Sequence, residues 1–273
     1  MIEGGGGGRT SRHAFDLVSQ FHQDGYLKLE GCFSPEAVTA LHGQAMANFH
    51  EVLGLIEKKG HTMGIGVKHC FKEIVQRHTN RFEMPYKMDL PEFAIVPSCN
   101  KIMDVVKGVL GEDCVIINKS LVVSLPGAET QAWHSDGPHL NLGKDLPCHC
   151  LNVFVPLVDV DMTNGPTEMR PGSVTLTRDL KKAYMRAFLT KKLRAVDCPT
   201  LEKGSVLMFD YRILHRGKAN NSTESRPVLV YTFAKPFYID NMNFPHKSVM
   251  DEPVPEEGEE GRERKPMTVF TKK

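Results

Sequence analysis

Apolar positions in the first part of the chain repeat with a helical period. Ala14, Phe15, Leu17, Val18 and Phe21 share one face of a helix expected over His13 to Gln23. Gly25 ends it, and Tyr26-Leu27-Lys28-Leu29 alternates as a strand. Ser34 and Pro35 open a second helix, as N-cap and first helical residue. Its buried face carries Val38, Leu41, Ala45 and Phe49, and it runs to about Gly54 or a few residues beyond. Ser98 is expected to cap a third helix, Asn100 to Leu110, with Ile102, Val105, Val106 and Val109 on one face and Gly111 at its end.

From Asp113 the pattern changes to strands. Cys114 to Leu125, His149 to Leu157, Thr167 to Arg170, Arg194 to Asp197, Ser205 to Phe209 and Arg226 to Phe233 are β-branched runs separated by glycine- and proline-bearing turns. A short basic helix is expected from Asp179 to about Leu189. Residues 55 to 97 carry no clear period and read as a charged face or a substrate wall. Helices followed by about eight short strands predict a mainly β fold with N-terminal helices, a double-sheet jelly roll of the cupin-like kind. The expected division is a flexible tail at 1–12, rich in glycine, a single domain at 13–245, and a polar tail at 246–273 whose stretch from Asp251 to Lys265 is acidic.

Composition narrows the class. With 34 basic and 33 acidic residues the formal net charge is +1, which advertises neither a nucleic-acid nor a membrane surface. No apolar run is long enough for a membrane span, and Met1-Ile2-Glu3 leads into glycines rather than a signal-peptide core. Seven scattered cysteines suggest free thiols in a reducing compartment, so a cytoplasmic location is the expectation.

The candidate chemistry centres on Trp133-His134-Ser135-Asp136-Gly137. In extended backbone, residues two apart face the same way, so His134 and Asp136 can aim a ring nitrogen and a carboxylate at one point. Such a pair lacks one histidine to make the facial triad that holds non-haem Fe(II) with open positions. His215, beyond the strand ending at Phe209, is the candidate for the third ligand. Eleven residues further, Arg226 opens the last strand and could grip a carboxylate with its planar fork. Arg77, Arg81 and Lys87 are weaker candidates for an anionic group. Asn152, an amide in an apolar strand, is either a satisfied core amide or a co-substrate contact. Cys148-His149-Cys150 looks like a zinc fragment without a second pair, and reads better as a strand start.

The sequence resembles the phytanoyl-CoA dioxygenase family. The resemblance rests on Phe21-His22-Gln23-Asp24-Gly25-Tyr26-Leu27, Gly31-Cys32-Phe33-Ser34-Pro35-Glu36, Trp133 to Asp136, Asn164-Gly165-Pro166 with Pro171-Gly172-Ser173, and Gly204 through Gly217 with Asn220, Arg226 and Pro227. It implies a double-stranded β-helix using Fe(II), 2-oxoglutarate and O2 to oxidise a C–H bond of a small molecule, releasing succinate and CO2, with ascorbate as reductant. Carried over by position, His134, Asp136 and His215 would bind iron and form the catalytic centre. Arg226 would bind the distal carboxylate of 2-oxoglutarate, with Asn152 and Arg81 as further co-substrate contacts. The resemblance also implies two departures: Val174 stands where family members often have a histidine after Pro-Gly-Ser, and an aromatic common in the strand after the metal motif is replaced near Asn152. A carboxylate at 136 takes the position a halide would need, so hydroxylation is expected over halogenation. Two other readings stand beside this one: a non-catalytic binding protein on the same barrel, and a cupin-like isomerase or hydrolase using another metal. The segments Gly60 to Pro97 and Pro138 to Pro147 are expected to line the entrance.

Overall fold

The computed structural model describes residues 12–61, 70–179, 182, 185, 196–240 and 244–254. The chain begins with α1 (Arg12–Asp24), β1 (Tyr26–Leu29) and α2 (Pro35–Lys58). Ser34 caps α2 as expected, its hydroxyl accepting from Ala37 N at 3.2 Å. Phe15 does not share the buried face of α1; it is 69% exposed. Three short strands follow in the stretch that shows no period: β2 (Cys70–Phe71), β3 (Ile74–His78) and β4 (Arg81–Met84). Next come α3 (Ile95–Ser98) and α4 (Asn100–Leu110). Ser98 is not the cap of α4. It closes α3 and turns its hydroxyl back to Ile95 O at 2.8 Å, leaving Cys99 at the cap position without a side-chain capping bond.

The remaining strands are β5 (Val115–Ser124), β6 (Cys150–Pro156), β7 (Thr167–Met169), β8 (Val206–Asp210), β9 (His215–Gly217) and β10 (Arg226–Ala234). Eight of the ten form one sheet in the order β1-β8-β6-β10-β5-β4-β3-β2, every pair antiparallel, and β7 and β9 form a second. The sheets face each other, as a jelly roll requires. The expected helix from Asp179 to Leu189 lies almost wholly outside the described residues. Of the expected strand from Arg194, Asp197 forms a single bridge to Met169.

Alternation along the central strands decides what each residue does. Leu121 and Val123 of β5, Leu151, Val153 and Val155 of β6, and Leu229, Tyr231 and Phe233 of β10 turn outward. There they pack with Val38, Leu41, Phe49 and Val52 of α2 and Ile102 and Val106 of α4 in the main core. Burying each such side chain contributes roughly 1.5–3 kcal/mol. The intervening residues of the same strands point between the sheets. A smaller core of Val160, Met169, Leu201, Leu207, Phe209 and Ile213 fills one end of that space, and a cavity occupies the rest.

The polar C-terminal segment expected from 246 begins as part of the packed body. Val249 is fully buried in the main core, and Glu73 accepts bonds from Ser248 Oγ and, at 3.0 Å, from Val249 N. Lys72 N donating to Lys247 O at 2.7 Å and Lys59 Nζ donating to Met250 O at 3.3 Å add to its hold. No helix among the described residues is long and apolar enough to cross a membrane.

Candidate active site

His134, Asp136 and His215 converge: one potential ligand atom from each lies within 4.8 Å of the others. Two short backbone links bring them together. The segment carrying His134 and Asp136 is not a continuous strand; it touches β9 through one bridge, His134 N to His215 O at 3.0 Å and His215 N to His134 O at 2.9 Å. Asp136 N and Gly137 N then both donate to Tyr211 O, at 2.9 and 3.0 Å. The loop is thereby clamped on both sides of the pair.

The imidazoles are held in one tautomer. His134 Nδ1 lies 2.9 Å from Ala132 O, and His215 Nδ1 lies 3.1 Å from Ile213 O. A carbonyl accepts only, so each Nδ1 carries a proton and each Nε2 is the ring atom left to face a ligand. Both Nε2 atoms face the carboxylate, at 3.7 Å from Asp136 Oδ1 and 3.6 Å from Asp136 Oδ2. Burial lowers the pKa of His215, against the pull of Asp136, so this ring favours the neutral, metal-binding form. Two imidazole nitrogens and one carboxylate, converging from side chains held in place, are a donor set that fits a divalent iron.

The cavity beside the triad has a volume of about 460 Å³. Its opposite wall presents Arg81 and Arg226, which are 2% and 3% exposed. Strand register puts them there. Arg81 on β4 and Arg226 on β10 both stand opposite Ser124 of β5. The Ser124 hydroxyl accepts from Arg81 Nη1 at 2.6 Å and from Arg226 Nη2 at 2.8 Å. Arg81 Nη2 also donates to Lys218 O at 2.9 Å, and Arg226 Nη1 donates to Gly165 O. Gly165 has φ of +84°, and a Cβ there would lie 2.4 Å from Ala219 O, so only glycine presents its carbonyl this way. Gly217 likewise leaves room for a guanidinium: a Cβ would sit 2.7 Å from Arg81 Nη1.

No carboxylate pairs with either arginine among the described residues, and both Nε atoms are buried without a partner. Burial lowers the Arg226 pKa to about 9, with the charge of Arg81 adding to the effect, and burial lowers that of Arg81 to about 10. Two adjacent cations held in this way fit an anion in the cavity.

The other candidates separate. Arg77 stands on the cavity wall and pairs with Glu83 at 2.7 Å. Lys87 is outside the cavity, ion-paired with Glu51 at 2.6 Å, because the tight turn at 85–88 directs it toward α2. Asn152 lines the cavity, but both ends of its amide are engaged by protein: Nδ2 donates to Asp136 Oδ2 at 2.7 Å and Oδ1 accepts from Thr232 Oγ1 at 2.8 Å. Cys148 and Cys150 pack into different clusters, and His149 stacks on Tyr238 with ring centroids 4.8 Å apart, so the three do not converge on a metal. Val174 packs beside the smaller core rather than in the cavity. Of the segment Gly60 to Pro97, the strands β3 and β4 supply lining residues; the loop Pro138 to Pro147 supplies none. Sequence reasoning misses Ser124, Thr232 and the carbonyls of Ala132 and Ile213. Nothing local marks them, since their roles come from register across strands.

Comparisons with known proteins agree with this geometry. The sequence pattern of the phytanoyl-CoA dioxygenase (PhyH) family matches residues 21–228, which include the triad and both arginines. The ectoine dioxygenase of Stutzerimonas stutzeri (strain A1501) is 25% identical over 259 residues, covering 84% of this chain and 78% of its own. The non-haem α-ketoglutarate-dependent epimerase SnoN from nogalamycin biosynthesis superposes with a TM-score of 0.62 at 16% identity, covering 94% of each chain. HygX from Streptomyces hygroscopicus, solved with nickel and 2-oxoglutarate bound, superposes with a TM-score of 0.59 at 12% identity, over 82% of this chain and 88% of its own. These two structures share the fold. The chain belongs to the phytanoyl-CoA dioxygenase family of Fe(II)- and 2-oxoglutarate-dependent oxygenases.

Proposed function

We propose that His134, Asp136 and His215 hold Fe(II) and that Arg226, assisted by Arg81, grips the distal carboxylate of 2-oxoglutarate. The enzyme then hydroxylates, or otherwise oxidises, a C–H bond of a small molecule. The single observation that carries this reading is the pairing of a preset two-histidine, one-carboxylate cluster with two buried, carboxylate-free guanidiniums across one cavity. When bound, the iron and its co-substrate supply the oxygen chemistry, taking up O2 and releasing succinate and CO2.

The chain's own residues bind, orient and shield. The carbonyls of Ala132 and Ile213 fix the two rings through Nδ1, so both Nε2 atoms are turned toward the proposed metal position. Asp136 contributes the negative charge. Val122, Phe154, Val228 and Val230 form the apolar part of the wall, lowering the local dielectric and strengthening the hold of the arginines on a carboxylate. Arg77, Glu83 and Asn118 give the rest of the cavity a polar lining, which suits a compact polar substrate better than a long acyl chain. Two relatives are named ectoine dioxygenase. A single catalytic domain in the cytosol is in keeping with the six free thiols among the described residues.

The test is turnover of the co-substrate. Purified protein with Fe(II), ascorbate and 2-oxoglutarate is expected to release succinate, and a chelator is expected to stop it. Absence of both succinate and 2-oxoglutarate binding would overturn the reading in favour of a metal-dependent isomerase or hydrolase.

A further inference from the structure

The Asp136 carboxylate sits on an irregular loop, and its own backbone contacts do not determine how the side chain is turned. The clamp on Tyr211 O acts through main-chain nitrogens. The histidine Nε2 atoms stand off at 3.6 and 3.7 Å. Among the described residues, the hydrogen-bond donor on this carboxylate is Asn152 Nδ2, at 2.7 Å from Oδ2.

Asn152 is anchored far better than the loop it touches. It lies mid-strand in β6, between β8 and β10, and is 3% exposed. Directly opposite on β10 stands Thr232, equally buried, whose hydroxyl donates to Asn152 Oδ1 at 2.8 Å. That bond and the carboxylate agree on which way the amide faces. Flipping it would set Oδ1 against the oxygen of Asp136, two acceptors with no proton between them. A chain of two bonds, Thr232 to Asn152 to Asp136, thus runs from the centre of the large sheet to the loop. Its donor to the carboxylate is neutral, so it orients Asp136 without competing with a cation for the charge.

We propose that Asn152 is a positioning residue for the metal centre, holding one oxygen of Asp136 so that the carboxylate offers the metal its other oxygen, with Thr232 locking the amide. The inference rests on the reading of His134, Asp136 and His215 as metal ligands. Outer partners of metal ligands contribute about 10–100-fold in metal affinity.

The chain contains one tryptophan, Trp133, adjacent to His134, so quenching of its fluorescence reads metal uptake without turnover. The anaerobic titration uses Fe(II), Co(II) and Ni(II) on wild type, Asn152→Leu, Thr232→Val and the double variant, with thermal unfolding of each metal-free protein alongside. Asn152→Leu is expected to lose 10- to 100-fold in metal affinity and to shift the visible bands of the Co(II)-loaded protein. Thr232→Val is expected to lose several-fold, and the double variant no more than Asn152→Leu alone, because the threonine acts through the amide. If Asn152→Leu does not fold, the nearly isosteric Thr232→Val carries the test through its affinity and Co(II) spectrum. Folded variants with unchanged affinity and spectrum would overturn the role of Asn152 while leaving the metal centre standing, as would losses that simply add. A wild-type chain that takes up no divalent metal would overturn the metal centre itself and this inference with it.

Discussion

Among the described residues, three arginines are almost fully buried, and they divide into two kinds. Arg212 lies beside Asp210, which accepts from its Nε at 2.9 Å and its Nη2 at 2.7 Å, while Leu146 O accepts from Nη1 at 2.9 Å. Burial alone would lower its pKa, but the bonds and charge of Asp210 prevail and raise it. Arg81 and Arg226 are buried to the same degree with hydroxyl and carbonyl partners only, and their pKa values fall. A cation needed to join loops to the frame brings its counter-ion in the chain. On the proposed reading, a cation kept for a ligand leaves that place open, and the first kind belongs to the architecture and the second to function.

Breaking the framework pair is expected to have the largest effect. Asp210→Asn leaves the Arg212 charge buried and uncompensated, so urea unfolding should show a loss of about 3–5 kcal/mol. Arg226→Met is expected to do the reverse to the empty protein, leaving its stability unchanged or raised, while the 2-oxoglutarate concentration for half-maximal succinate release rises about 100-fold. Equal destabilisation by the two substitutions would remove the distinction between them.

His149 sharpens the comparison, because it is a buried titratable group with neither kind of partner: both ring nitrogens lack hydrogen bonds. Burial, with Arg212 nearby, lowers its pKa to about 4. Below about pH 6.5 the unfolded chain takes up a proton that the folded chain refuses until about pH 4. Stability is therefore expected to fall across that window by on the order of 2 kcal/mol, and His149→Phe should flatten this limb of the profile. The smallest effect is expected of Arg81→Met, a rise of about tenfold in the 2-oxoglutarate requirement, since Arg226 keeps its own contact with the ligand. A larger effect than that of Arg226→Met would make Arg81 the principal anchor.

Much of this was legible in the sequence, for identifiable reasons. The long strands stand out as nearly unbroken apolar runs because both of their faces are covered, and β5, β6, β8 and β10 fall within a residue or two of their expected limits. The triad was legible because His134 and Asp136 are two apart and His215 follows an apolar strand. The region of β2 to β4 was not. Its strands are two to five residues long, and Arg81 and Glu83 on the inward face replace the apolar alternation that marks a strand. Ser124 and Thr232 stayed hidden because a hydroxyl in a strand acquires its role only from what stands opposite. Asn152 was noticed for being polar in an apolar run, but its partner comes from a loop sixteen residues upstream, which no strand pattern reveals.

The depth of the arginine pair also bears on the timing of the catalytic cycle. Arg81 and Arg226 are nearly sealed, whereas the side chains of His134 and Asp136 remain 35% and 25% exposed. On the proposed assignment, the dicarboxylate's anchor lies at the sealed part of the cavity and the metal ligands at its more open part. Co-substrate is then expected to bind before substrate, and initial-rate kinetics showing ordered addition would check it.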